Sequence, residues 1–499
     1  MSRAWWVVPL LLVTAFWAWW GVTTDFYVTL NDFWGLLVIA EQLSTTDPRS
    51  LHNGFFPVGY PLLLRLFGGS AVLAFAFLLS VLSAAVLLAG VGAFLSRRAG
   101  PALAVAGVGL TALHPLVFQH AVTSSPDMPM TAALVLGVLL LADALERDAR
   151  RQAVVAGGLI GCAVLLRYHA GAVVAGMALG GVIAWPSRWK TLSRACVAAC
   201  AVGGVQVAVN LWAGVGPLQT AQAFNLYKLF NPVDWFHLPP PALPSSVWAV
   251  VQLNPEAFRA AYLAQLSGVW PLLGLSAVTV GLVPSGARRV AVFLLVVLVA
   301  YLPLQALGGS PRGPLPAVPL VVVGLTLAAE RIRSWPRGAW LAGGTSVVAV
   351  VSAAWLWVPT HRAFLRGQEA TRAASASVEA MLRADGVRFA GEVYTDAGEF
   401  YFVSTRRARV GALHPLTPGG WARVDLYGFE RSFPQMRLTT LDEFLADCRH
   451  YGVTHLALTP GADAMVRGLG AAVTPATLPD GLRWVGHTGG LSVVALEGP

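Results

Sequence analysis

Charge is what this sequence has least of. Of its 499 residues, 12% are Asp, Glu, Lys or Arg, while 56% are hydrophobic. Soluble domains carry about 25% charged residues. The composition therefore excludes an ordinary water-soluble globule and places the chain in a bilayer. Lysine is nearly missing, with only Lys190 and Lys228, and the remaining cations are arginines. The net charge of +9 would suit nucleic acid if it were gathered on one face. Here its sign follows loop position, so nucleic acid is excluded as a partner. Cysteine is scarce too. Cys162, Cys196 and Cys200 sit in apolar runs without C-x-x-C spacing, and Cys448 stands alone, so there is no disulfide framework. His52, His120, His169 and His237 are scattered with no H-x-x-x-H pair, and no metal-ligand spacing is visible. A Gly-rich phosphate loop, an internal repeat and a low-complexity tract are also absent.

What is abundant is long apolar runs. Helices are predicted near 4–21, 70–95, 101–118, 129–145, 152–166, 171–185, 195–213, 264–284, 290–307, 315–329 and 338–358. Each approaches the length that crosses about 30 Å of hydrocarbon, the shorter ones with help from flanking residues. The first run lacks a small-residue cleavage site and reads as an uncleaved transmembrane helix. Eleven spans put the chain ends on opposite sides. Arginine decides which side is which. One set of connections carries fourteen Lys and Arg, from Arg3 to Arg337, and the alternate set carries six: Arg49, Arg65, Arg167, Lys228, Arg259 and Arg312. Short positive loops stay cytoplasmic, so the N-terminus is expected inside. The 22–67 loop, the 214–262 connection and the tail are expected outside.

The outside segments hold the chemistry-bearing residues. Residues 22–67 carry Asp25, Asp32, Glu41 and Asp47, an amphipathic run from Asp32 to Leu43, and a break at Gly59-Tyr60-Pro61. In 114–127, Ser125 and Pro126 read as an N-cap and first helical position, with Asp127 in the first turn. The 214–262 connection, with Tyr227 and Lys228, is too long for a plain linker. After residue 359 charge returns. Strand-like runs at 388–394, 454–459 and 482–496, the last a hairpin about Gly489-Gly490, alternate with helical patterns at 369–384, 440–451 and 462–469. That pattern predicts a small α/β domain. The expected architecture is a polytopic α-helical membrane protein over 1–359 and a soluble extracytoplasmic α/β domain over 360–499.

Three local patterns give the membrane part a resemblance. DFWGLLVIAEQL at 32–43, FFPVGYPLLLRLF at 55–67 and RGPLPAVPLVVV at 312–323, with SSPDMPMTAAL at 124–134 a looser fourth, resemble the GT-C glycosyltransferases. The likeness is to the bacterial protein-mannosyltransferase-like and aminoarabinose-transferase-like branch. One departure is that Asn31-Asp32 is followed by Phe33 and Trp34 where many relatives have Asp-Glu then Tyr. The resemblance implies a sugar carried on a polyprenyl phosphate and an acceptor that is a lipid, a glycan or a protein. Its members differ in metal use, so no cofactor is assigned and a divalent metal stays open.

Such a transfer needs a base for the acceptor hydroxyl, cations for the leaving phosphate and an apolar groove for the lipid tail. Asp32 is the first candidate for the catalytic carboxylate, with helix capping as its other reading. Asp127 is the second, with the same alternative. Arg167, Lys228 and Arg312 are candidates for the donor phosphate, and Tyr60, Tyr227 and His52 are loop residues within the same region. Snorkelling to the membrane surface is the alternative for Arg167. Two other classes compete. A transporter or flippase of lipid-linked sugars should show inverted repeats and broken midplane helices; no repeat is seen, and the acids lie in the outside loops. A non-catalytic envelope assembly protein would not need cations beside the acid loop. Reporter fusions test the orientation: a fusion after residue 98 should report cytoplasm and one after residue 360 the outside, and a cytoplasmic tail would overturn it.

Overall fold

The computed structural model describes residues 6–24, 56–68, 71–214, 247–308, 312–333, 338–388, 392–395, 423–426, 429–432, 441–450, 452–458 and 478–497. Scattered positions between them, among them Phe33, Leu36, Leu37, Ala40, Leu43, Leu226 and Tyr227, are also described. Asp32, His52 and Lys228 lie outside the described residues, as does the predicted helix at 462–469.

Every one of the eleven apolar runs folds as helix. In order they are α1 (Val7–Thr23), α3 (Val72–Arg98), α4 (Pro101–Leu113) with α5 (Pro115–Ala121), α6 (Asp127–Arg147), α7 (Arg150–Leu166) and α8 (Gly171–Ala184). There follow α9 (Trp189–Gly203) with α10 (Val205–Trp212), α12 (Pro255–Leu282), α13 (Arg288–Gly308), α14 (Ala317–Arg333) and α15 (Gly338–Ala384). Two short helices, α2 (Gly59–Phe67) and α11 (Val247–Gln252), precede α3 and α12. By length and composition, six helices among the described residues suffice to cross a membrane, or seven with α4 and α5 counted as one span. The rest are shorter and need local bilayer thinning, flanking residues or protein shielding.

The run 101–118 is one helix in the sequence reading and two in the structure, bent by 69°. The cause is His114-Pro115. The residue before proline is pushed out of helical space, and His114 sits at ψ 130°. Proline has no N–H for the Thr111 carbonyl, and His114 N–H turns to Leu110 O (3.2 Å) and Thr111 O (3.3 Å) instead. Pro115 then opens α5, and the His114 side chain accepts from Leu116 N as its N-cap. Nor is Gly59-Tyr60-Pro61 a break: these residues form the first turn of α2. The amphipathic run is seen in Phe33, Leu36, Leu37 and Ala40, all helical and buried, at the spacing of one helix face.

The helices pack closely because small residues let backbones approach. A Cβ on Gly157 of α7 would stand 2.1 Å from the Ala195 carbonyl oxygen of α9, the small-residue contact expected between helices in lipid.

Helix α15 runs without interruption from the apolar layer past residue 360 to Ala384 and carries Pro359 inside it. Its last turns cover a four-stranded sheet of order β1-β4-β6-β5, with β1 Val393–Thr395, β4 His455–Leu458, β5 Leu482–Thr488 and β6 Leu491–Leu496. β1 pairs parallel with β4, and the other pairings are antiparallel. Val378 and Leu382 of α15 are buried against Val393, Ala457, Leu491 and Val493. The hairpin turn falls at Gly489 (φ 58°) and Gly490 (φ 78°), the left-handed pair that a two-residue hairpin requires. β2 (Arg423–Leu426) and β3 (Phe429–Ser432) form a separate antiparallel pair, and α16 (Leu441–His450) precedes β4.

Asp385, just past α15, joins the helix to the sheet through Arg483 Nη2 (2.5 Å) and His455 Nε2 (2.9 Å). The Arg483 hydrogen bond, followed by that from His455, holds the Asp385 carboxyl below its ordinary value of 3.8. A lowered carboxyl pKa stabilises the fold fully above the unfolded value and loses that effect as pH falls through the folded one. The window therefore lies below about pH 4. Asp385→Asn should make the tail more protease-sensitive than wild type at pH 7. The two proteins should converge in acid, and a difference that instead grows below pH 4 would contradict the assignment.

Candidate active site

The site begins where α6 begins. Pro126 (φ −70°) is the N-cap and Asp127 the first helical residue, one position later than the sequence signals, while Ser125 Oγ accepts the Asp127 N–H at 3.4 Å. The Asp127 carboxylate does not cap the helix. It is buried, at 4% exposure, and faces two arginines. Arg167 Nε donates to Oδ1 at 3.0 Å and its Nη2 to Oδ2 at 3.2 Å. Arg312 Nη1 donates to Oδ2 at 3.3 Å. His120 Nδ1 stands 3.9 Å from the same oxygen. A buried charge must be paired and hydrogen-bonded, and here one carboxylate gathers a fork and a second guanidinium.

Each arginine is held by backbone. Arg167 follows α7 in extended conformation (φ −153°, ψ 125°). Its guanidinium lies over the Phe56 ring, 5.4 Å from the centroid, while the Tyr168 hydroxyl donates to the Phe56 carbonyl at 3.4 Å. Arg312 opens the turn between α13 and α14. That turn is closed by Leu315 N to Arg312 O (3.0 Å) and pinned by the buried Tyr301 hydroxyl on Gly313 O (3.0 Å). The R-x-x-L-P pattern is thus the turn that delivers Arg312 before α14.

Tyr60 enters from α2, fully buried and within electrostatic reach of both Asp127 and Arg167. Its approach depends on Gly59, where a Cβ would stand 2.4 Å from the Leu165 carbonyl oxygen. A buried amide relay fixes the same turn. Val58 N donates to Gln206 Oε1 (2.8 Å), Gln206 Nε2 to Asn210 Oδ1 (2.9 Å), and Asn210 Nδ2 to Pro217 O (3.0 Å). Several buried polar atoms here have no hydrogen-bond partner: Tyr60 Oη, His120 Nδ1, Thr123 Oγ1, Ser124 Oγ and His169 Nε2. Such atoms call for a ligand or water. Among the described residues, no group of three His, Cys, Asp or Glu is gathered for a metal ion.

Of the sequence candidates, the structure unites Asp127, Arg167, Arg312 and Tyr60. Tyr227 packs with Phe230 (5.7 Å) in an aromatic row that continues to Phe258 and Tyr262. Sequence reasoning left His120, His169, Tyr301 and Phe56 out of the site. The available signal for His120 was that it lies seven residues before Asp127, at the same end of adjoining helices.

Residues 60–212, less than half of the chain, match a family model described as dolichyl-phosphate-mannose-protein mannosyltransferase. The segment includes Asp127 and Arg167. In three dimensions the chain is similar to ArnT from Cupriavidus metallidurans in the apo state, at 15% identity, TM-score 0.58 and coverage of 100% of both chains. It is also similar to ArnT from that organism bound to undecaprenyl phosphate, at 14% identity, TM-score 0.52 and 100% of both chains. No curated protein sequence matches it. The chain is a multi-pass membrane protein with an ArnT-like fold.

Breaking a buried ion pair costs about 3–5 kcal/mol because it strands the partner charge. Asp127→Ala should therefore lower the thermal unfolding midpoint of the detergent-solubilised protein. Arg167→Lys should lower it less, keeping the charge but losing the fork. Unfolding of Asp127→Ala at the wild-type temperature would show that the cluster contributes nothing to stability.

Proposed function

We propose that this protein is a glycosyltransferase that moves a sugar from a polyprenyl-phosphate donor to a lipid, glycan or protein acceptor. The transfer takes place at the outer face of the cytoplasmic membrane and inverts the anomeric centre. The observation that carries the reading is the convergence of Arg167 and Arg312 on buried Asp127, within a fold like that of an ArnT crystallised with undecaprenyl phosphate. Guanidinium forks match phosphate geometry, and the unpartnered hydroxyls and imidazoles nearby suit a polar headgroup. The arginine asymmetry sets the sides: N-terminus inside, with the domain at 360–499 outside the membrane domain at 1–359.

In this reading Asp32 takes the proton of the acceptor hydroxyl as its oxygen attacks the anomeric carbon. The bond from that carbon to the phosphate oxygen breaks and its electron pair leaves on the polyprenyl phosphate. Arg167, Arg312 and Lys228 hold the developing charge. Both Asp127 oxygens already accept guanidinium hydrogens, so Asp127 frames the cations and Asp32 is the base. One carboxylate suffices because the phosphate leaves without protonation, unlike the paired acids of glycoside hydrolysis. Tyr60 from α2, with Tyr227 and His52 from the outer segments, meets the sugar and the acceptor.

The test is transfer from a radiolabelled polyprenyl-phosphate sugar by the protein in lipid nanodiscs and vesicles. Labelled product is expected. Asp32→Asn should lower kcat on the order of a hundredfold, while Arg312→Ala should mainly raise the KM for donor. Uptake of label into vesicles without product would replace the enzyme by a carrier of lipid-linked sugars. Near-normal turnover in Asp32→Asn would remove Asp32 as the base.

A further inference from the structure

The break between α4 and α5 lies two turns from the site, and a residue from the far end of the chain holds it. His361 of α15 is buried at 5% exposure. Its Nε2 lies 2.8 Å from Leu113 O, the carbonyl at the break. A carbonyl only accepts, so Nε2 carries the proton and donates. The imidazole also stacks on Phe118 of α5, with centroids 4.0 Å apart and planes 10° apart. One turn away on α15, Trp357 meets the His114 ring edge-on at 5.1 Å. Two residues beyond Phe118 stands His120, 3.9 Å from the Asp127 carboxylate, and α6 follows directly.

The same helix touches the other flank. Arg372 Nη1 donates to Thr23 O at 3.0 Å, at the end of α1 where the first external loop departs. Farther along, Ala374 O lies where a Cβ on Gly489 would stand, 2.7 Å away, and Met381 lies against Gly486. α15 is thus one continuous helix that seats the tail sheet and contacts both chain segments leading into the site.

We propose that His361 is a positioning residue for the Asp127 site, setting the tilt of α5 by bonding the carbonyl exposed at its break. It rests on the reading of that site as the functional one. Proline-broken helices in membranes persist because a neighbour satisfies the freed backbone, and His361 is that neighbour. Loss of the bond frees α5 to swing about His114, and a shift of about 1 Å in a catalytic group costs up to a hundredfold in rate.

The experiment compares His361→Gln, which keeps an N–H donor at similar reach, with His361→Leu, which keeps bulk but loses the donor. His361→Phe, which keeps the stack on Phe118 and loses the donor, is the companion variant should His361→Leu not accumulate. Two readouts are taken on the full chain in nanodiscs: hydrogen–deuterium exchange over 114–122, and kcat and KM for a polyprenyl-phosphate sugar. His361→Leu should exchange faster over 114–122 and lose at least tenfold in kcat with donor KM unchanged, while His361→Gln restores both. Wild-type exchange in His361→Leu, wild-type kcat despite faster exchange, or failure of Gln to restore either would overturn the proposal. With His361→Phe alone, wild-type exchange over 114–122 would also overturn it. If the wild-type protein transfers no sugar, the functional reading fails while the exchange comparison still decides the bond from His361 to Leu113.

Discussion

A carboxylate buried between two guanidiniums is the constraint the rest of this molecule satisfies. Asp127, Arg167 and Arg312 come from the start of α6, the end of α7 and the turn before α14. A charge at that depth without its partner would cost several kcal/mol, so these three ends cannot drift apart. The surrounding features make sense as supports. Tyr301 pins the turn that carries Arg312, Phe56 backs Arg167, and Gly59 lets α2 press against Leu165. Apolar packing holds the helix shafts, and polar bonds fix their ends. That division is natural in lipid, where burying one more methyl against a neighbour gains little over burying it in hydrocarbon.

The helices, their order and the hairpin were legible because they depend on local signals. Apolar run length gave the helices, and Gly489-Gly490 between two alternating runs gave the turn. The members of the site were legible singly, by type and sidedness: Asp127 by its place after Ser125-Pro126, and Arg167 and Arg312 as cations in loops that carry few. Their pairing was not legible. Arg167 lies 40 residues from Asp127 and Arg312 lies 185, and no periodicity encodes a contact across such distances. His120 was passed over for the same reason: as a lone histidine it has no pattern, and only the bend at His114-Pro115 turns it toward Asp127.

The misreadings of α4–α5 and α15 have one cause. Hydropathy reports where a segment resides, while helix continuity depends on backbone chemistry. Residues 101–118 stay apolar across Pro115, so hydropathy sees one element where the missing N–H makes two. Residues 359–368 turn polar after Pro359, so the sequence reading ends one helix at 358 and starts another at 369. Yet Arg362, Ala363, Leu365, Arg366 and Gln368 are strong helix formers, and a single helix runs through. The consequence is structural: a polar extension of a membrane helix gives the tail sheet a helical footing instead of a loop.

Assigning different work to two acids follows from the same cluster. Asp127 accepts three hydrogen bonds from the two arginines. To take a proton it would have to surrender at least one of them, and a neutralised carboxyl would no longer balance the guanidiniums beside it. A group that organises cations must keep its charge through the cycle, whereas a base must lose and regain its charge in each. In the proposed reading the base is therefore sought among the acids of the 22–67 segment. The proposed base Asp32 adjoins Phe33, whose ring is fully buried, so the chain beside it is anchored in the core. An anchored neighbour limits how far a side chain can wander, and positional restraint is what a general base needs most.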